Sequence, residues 1–196
     1  MQPSPKSSVW ERRAWAASFP GLGPPGEAEE WSEEAYLLPL GLGGRNIKIS
    51  GDALEMKDLV VARPDMQLWH PAARLTFPVP SASLERELMV RLALGQPLTR
   101  ERYTAGQLLD ELVGPRHNVA VVRLKKRRRL FEAAGCRAEV AEVDVGDRRI
   151  LTACAEHEDP ARLRQAAAEL GLGLDRYPNL DYPTALTRLV VPRRAA

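Results

Sequence analysis

The 196-residue sequence predicts an α+β protein built on a mostly antiparallel sheet. Three observations lead there. Strand-like and helix-like segments come in blocks (strands, helices, strands, a helix), without the β-α-β alternation of a parallel sheet. Neighbouring strands are separated by short turn signals that suit hairpins: GLGG at 41–44, GD at 51–52, AAGC at 133–136 and GD at 146–147. Charges of both signs recur at two-residue spacing within the strands, the period at which side chains share a face.

Residues 1–8 are polar and Pro/Ser-rich and read as a loose N-terminus, with a single domain over 9–196. SVWERRAW opens the domain as a strand. Ser18 to Glu34, SFPGLGPPGEAEEWSEE, is dense in Gly, Pro and acid and reads as a loop, whose acidic run can screen or gate a basic cavity. Strands follow in AYLLPL, RNIKIS and ALEMKDLVV. From Pro78 the period turns helical: SLERELMVRLALG has Ser81 or Ser83 for an N-cap and Gly95 as a stop, and a second helix fits Thr104 to Gly114. NVAVVRLKKRRRLF, AEVAEVDV and RRILTACAEHE are strands again. DPARLRQAAAELG is a helix with Asp159 as N-cap, Pro160 at its first position and Gly171 at its stop. LDYPTALTRLV holds a further short helix, and there is no internal repeat.

Composition excludes several classes. Lys plus Arg total 28 against 26 Asp plus Glu, and a net charge of +2 argues against a general nucleic-acid binder. Cys136 and Cys154 form no CxxC and have no His at ligand spacing, so neither a disulfide framework nor a zinc ribbon is indicated. No signal-peptide pattern or membrane-length apolar run is present, which predicts a cytoplasmic protein without membrane attachment. No GxxxxGK[ST] occurs, and neither GLGG nor the GLG at 171–173 sits between a strand and a helix as a dinucleotide site requires. The three His are scattered, and the four Trp read as packing.

Parity sorts the charges. Glu11 and Arg13 share a face; Asn46, Lys48 and Ser50 oppose Ile47 and Ile49; Glu55 and Lys57 oppose Leu54 and Met56. Arg123, Lys125 and Arg127 oppose Val122 and Leu124, while Glu156 and Glu158 share the parity of Thr152 and Cys154. A sheet with one solvated face alternates in the same way. If the sheet instead curls shut with its polar face inward, the lumen holds acids beside bases: acid pairs suit a hard divalent cation, and clustered Lys and Arg suit a polyphosphate. On this sorting Arg123, Lys125 and Arg127 point into the lumen, Lys126 and Arg128 point away, and Arg129 stays open. Glu142 and Asp144 are further acids of undetermined orientation.

The ordered set of short motifs resembles the CYTH family of triphosphate tunnel metalloenzymes. VWERR aligns as Val9-x-Glu11-x-Arg13 with the family's opening Glu-x-Glu-x-Lys strand, and NIKIS resembles its Lys-x-Arg strand. LEMK resembles its Leu-Glu-x-Lys strand, VRLKKRRRLF its basic strand, AEHED the Glu-x-Glu before its C-terminal helix, and LDYPTAL its closing segment. The resemblance spans nearly the whole chain. It implies an eight-stranded antiparallel barrel closed into a tunnel with a charged interior and helices packed outside. It further implies hydrolysis of inorganic triphosphate or a triphosphorylated organic compound, a triphosphatase before an adenylyl cyclase. Glu11, Glu156 and Glu158 are then the catalytic acids and the ligands of Mg²⁺ or Mn²⁺, and Arg13, Lys48, Lys57, Arg123, Lys125 and Arg127 cradle the phosphates.

The chain also departs from the pattern. Val9 replaces the first acid, Arg13 the signature Lys, and Ser50 an Arg. The lost acid weakens the metal site, moves its ligands, or marks a tunnel that binds phospho-ligands without turnover; the sequence leaves these open. A further reading makes KKRRR, 125–129, an external nucleic-acid contact.

Overall fold

The computed structural model describes residues 7–26 and 29–190. Most of the expected loose N-terminus lies outside the described residues; Ser7 and Ser8 are tied down by side-chain hydrogen bonds to Glu158 and His70.

The strands are β1 (Val9–Ala16), β2 (Trp31–Pro39), β3 (Arg45–Ser50), β4 (Ala53–Ala62), β5 (Gln67–Thr76), the short β6 (Val79–Pro80) and β7 (Arg102–Tyr103), β8 (Val119–Ala133), β9 (Cys136–Val145) and β10 (Arg148–His157). Eight of them close into an antiparallel barrel in the order β1-β10-β9-β8-β2-β3-β4-β5, with β5 pairing back onto β1; β6 and β7 form a separate two-stranded ribbon. Closure gives every barrel strand an inner and an outer face; at the seam β1 pairs with β5 only over Val9–Glu11, and beyond it Asn179 Oδ1 accepts from Arg13 N–H and Leu180 N–H donates to the Arg13 carbonyl. The hairpin signals are used as expected: Ala134 and Gly135 both have positive φ (50° and 72°), the conformation of a tight turn that follows the strand twist.

Two strand assignments differ from the sequence reading. Trp31–Glu34, read as loop, begins β2 and pairs with Leu124–Arg127. β5 is a strand with no counterpart among the expected ones, and it contains Pro71, which lacks the N–H that a ladder needs. The ladder accommodates it at a register shift: Met56 pairs with Ala73 but Lys57 pairs with Pro71, so one extra residue bulges out there.

Three helical segments cover the outer face. Those at 81–92 and 105–113 bury Leu84, Leu88, Leu92, Leu108 and Leu112 against the outward residues Leu37, Ile47, Ile49, Leu54 and Met56. The first starts after Pro80 with no side-chain cap, so neither expected serine serves; the second has a Thr104–Gln107 capping box. Helix Pro160–Glu169, capped by Asp159, buries Leu163 and Ala166 against Trp10, Cys136 and Ala155. Gly171, at φ +66°, ends it.

The fourth helix, Tyr182–Val190, has a different position. Tyr182 and Leu186 pack with Tyr36, Leu38, Val122, Leu124, Val143 and Val145, residues of the barrel's inner parity. The bore is therefore divided. One half is apolar and sealed by this helix, and the other carries the charges.

A charged lumen as the candidate active site

The charged half of the bore is a cavity of about 320 Å³. Six bases line it (Arg13, Lys48, Lys57, Lys126, Arg128 and Arg137), with five acids (Glu11, Glu34, Glu55, Glu139 and Glu156) and the neutral Asn46, Ser50, Tyr36 and Tyr182. Buried charges persist only when paired, and most of these are. Lys48 lies 2.8 Å from Glu34 and 3.5 Å from Glu55; Lys126 lies 3.0 Å from Glu34; Arg128 lies 3.5 Å from Glu139. Burial alone would raise the Glu34 carboxyl, but Lys126 and Lys48 hold it down at about 2. Burial lowers Lys126, with Glu139 and Glu34 opposing. Lys57 and Arg137 have no carboxylate partner within 4.0 Å among the described residues, so their charge is available to an anion. Arg128 and Arg137, the exposed pair, place positive charge at the mouth.

At the other side of the lumen, cross-strand pairing sets Glu11 directly opposite Glu156. Two carboxylates in that position repel unless a proton or cation lies between them. Burial and the Glu11 charge raise Glu156; Glu11, which burial would raise, is held at about 2 by Arg13 and Lys57. Arg13 bonds Glu11 Oε1 at 2.9 Å, Thr152 Oγ1 at 3.2 Å, Cys154 Sγ at 3.0 Å and Glu139 at 3.4 Å, with its guanidinium 4.6 Å above the Tyr182 ring. One ligand atom each of Glu11, Cys154 and Glu156 lie within 4.8 Å of one another, a group able to hold a metal ion. The adjacent carboxylates suit a divalent ion that keeps waters and shares substrate oxygens.

Of the residues singled out from sequence, Glu11, Arg13, Lys48, Lys57 and Glu156 line the lumen. Glu158 does not: β10 ends at His157, and the exposed Glu158 carboxylate accepts from Ser7. Arg123, Lys125 and Arg127 are also misplaced by the parity argument. They point outward, where Lys125 meets Glu33 at 3.3 Å and Arg127 meets Glu142 at 2.7 Å and the Trp31 ring; Lys126 and Arg128 point in. The physical reason is the divided bore. Val122 and Leu124 line the sealed apolar half of the same inner face that Lys126 and Arg128 line in the charged half, so apolar character did not mark the outer face. Glu142 and Asp144 lie on the outer side of β9, paired with Arg149. KKRRR is thus divided between the lumen, which Lys126 and Arg128 line, and the outer side, where Lys125 and Arg127 are ion-paired.

Lys126 and Arg128 join the site against the sequence expectation that they point away, and Glu34, Arg137, Glu139 and Tyr182 join it without having been assigned to it. The signal was present in Arg137-x-Glu139, the same base-acid alternation as elsewhere, and in Glu34-x-Tyr36-x-Leu38, which crosses the supposed loop boundary. Among the described residues no helix is long and apolar enough to cross a membrane.

No family profile and no curated protein matches this chain. Solved structures do. A candidate adenylate cyclase from Bacillus halodurans is 11% identical, with 92% of this chain and 96% of that one covered at a TM-score of 0.52. A candidate adenylyl cyclase from Hippeastrum with dominant triphosphatase activity is 12% identical over 96% of this chain and 100% of that one (TM-score 0.45). A conserved hypothetical protein from Pyrococcus furiosus is 12% identical over 88% and 98% (TM-score 0.46). The Bacillus halodurans protein shares the fold of this chain. With the closed barrel, its charged lumen and the ordered motifs, the chain has a CYTH-like tunnel fold.

Proposed function

We propose that the lumen binds inorganic triphosphate or a triphosphorylated small molecule and hydrolyses it with a divalent cation. The observation that carries the reading is a closed lumen with six bases, two of them unpaired with acid, facing two adjacent carboxylates. Arg128 and Arg137 draw the anion in at the mouth; Lys57 and Lys126 flank it, and Arg13 holds Glu11 in place. The two carboxylates suit Mg²⁺ or Mn²⁺, which when bound would neutralise phosphoryl charge. Glu156 orients a water towards the terminal phosphorus and accepts its proton.

A second reading, binding without turnover, has its own support. Val9 shares the inner parity of Glu11 and Arg13 but carries no carboxylate, and Glu158 lies outside the lumen, leaving fewer metal-binding acids than the family pattern implies. Phosphate release from a panel of triphosphates with Mg²⁺ or Mn²⁺, in the native chain and in Glu156→Gln, separates the two. Hydrolysis lost in the variant supports the first. Tight triphosphate binding with no release supports the second.

A further inference from the structure

The acid pair in the lumen has a third potential donor. Cys154 lies on β10 directly opposite Arg13, two residues from Glu156, and its Sγ falls within 4.8 Å of ligand oxygens of both Glu11 and Glu156. We infer that Glu11, Cys154 and Glu156 together form a metal centre, and that the thiol makes it select a thiophilic divalent ion such as Zn²⁺ or Co²⁺ over Mg²⁺. The inference rests on the reading that this lumen holds a divalent cation, and it changes which one.

The chemistry separates the two classes of ion. Mg²⁺ demands octahedral oxygen and loses water reluctantly, so a sulfur donor contributes nothing to it. Zn²⁺ takes Cys sulfur and carboxylate oxygen together, and a three-ligand protein site leaves its fourth position for water or a substrate oxygen. Three donors converging from two paired strands match that arrangement.

The surroundings are built as a supporting shell. Arg13 bonds two of the three donors, at 2.9 Å to Glu11 and 3.0 Å to Cys154, and is itself held from behind by Thr152, Glu139 and the Tyr182 ring. Groups that bond a ligand and are fixed on their far side orient that ligand for a metal. When the ion enters, the thiol proton leaves to solvent, and Arg13 and Lys57 offset the added negative charge of the donors. A separate observation says the lumen is made for an occupant: the Tyr182 hydroxyl lines it, only 4% of the residue is exposed, and the hydroxyl has no hydrogen-bond partner among the described residues.

The other cysteine supplies an internal control. Cys136 is buried in the apolar cluster beneath helix Pro160–Glu169, on the outer side of the barrel.

The test is Co²⁺ titration of the full chain, read in the near-ultraviolet for the thiolate-to-cobalt charge-transfer band and in the visible for the metal-centred bands. The charge-transfer band should appear at one Co²⁺ per chain, persist in Cys136→Ser and vanish in Cys154→Ser. Co²⁺ affinity should fall by about 10-fold or more in Cys154→Ser. Zn²⁺ should abolish the bands stoichiometrically, and a large excess of Mg²⁺ should not. Circular dichroism melts of each variant confirm that the barrel is folded. Visible bands without the charge-transfer band, or no Co²⁺ binding at all in the folded chain, overturn the inference. The outcome is independent of turnover: hydrolysis with Mg²⁺ and no sulfur band leaves the triphosphatase reading standing without this one. A sulfur band with no hydrolysis leaves the metal centre standing without catalysis.

Discussion

Alanine at Lys126 should be far more damaging than alanine at its neighbour Lys125, although the two residues are adjacent in one basic run. The Lys126 side chain is 4% exposed, 3.0 Å from Glu34, and stands over the Tyr182 ring at 5.2 Å. Removing one partner of a buried pair costs about 3–5 kcal/mol when the other charge is left uncompensated. Glu34 retains Lys48 at 2.8 Å, so the loss here should be smaller, about 2 kcal/mol. The Lys125 side chain is 61% exposed and its partner Glu33 is 78% exposed, a surface pair whose loss costs about 0–1 kcal/mol. The contrast in ligand binding should be larger. A charge-assisted hydrogen bond to a phosphate oxygen contributes about 1.5–3 kcal/mol, so Lys126→Ala should weaken inorganic triphosphate binding about 10- to 100-fold, and Lys125→Ala by less than about 3-fold. Urea denaturation reads the first effect and isothermal titration calorimetry the second. Equal losses of affinity in the two variants, or a larger loss in Lys125→Ala, would refute the placement of the binding site inside the bore.

Three more expectations follow from the same geometry. Glu34 is held at about 2 in the fold against an ordinary 4.5, so its contribution is fully present above pH 4.5 and is lost as pH falls towards 2. Native stability measured from pH 6 to 2 should drop by about 3 kcal/mol through this group, and Glu34→Gln should flatten that slope. Leu186→Ala opens a hole in the apolar seal of the bore, where Leu186 is fully buried, and should cost about 2–4 kcal/mol by chemical denaturation. Glu156→Gln removes one of two facing acids, so its stability at pH 7 without metal should match or exceed that of the native chain by up to about 1 kcal/mol; a loss of several kcal/mol would show that Glu156 is not in repulsion with Glu11.

Much of the barrel was legible because strand alternation and hairpin turns are local. β1, β3, β4 and the β8–β10 segment carry period-2 patterns bounded by turn residues, and the two best-marked helices carry caps or stops at their ends. β5 was not legible, because Pro71 contradicts a strand unless a bulge beside it accommodates it, and the bulge is a property of the β4–β5 pair. The start of β2 was hidden by its acids: Glu33 and Glu34 read as solvated loop until β8 supplies Lys125 on one face and Lys126 on the other. Facing was the hardest part. In β1, β3 and β4 the charged parity is the inner parity, and Glu11, Lys48 and Lys57 were correctly grouped with it. In β8 both faces carry bases, and the apolar residues that should have marked the outside belong to the sealed half of the bore. That seal is formed by helix Tyr182–Val190, about 60 residues further along the chain, which no inspection of β8 alone can reveal.

The central claim is that the bore of the barrel, and not its outer face, holds the anion and the cation. A crystal structure of the full chain soaked with inorganic triphosphate and Mn²⁺, with the manganese located by anomalous scattering, tests it most directly. The account predicts Mn²⁺ against Glu11 and Glu156, with phosphate oxygens reaching Lys57, Lys126, Arg128 and Arg137. Triphosphate bound instead along Arg123, Lys125 and Arg127, or an ion ligated by the outward Glu142 and Asp144, would contradict it.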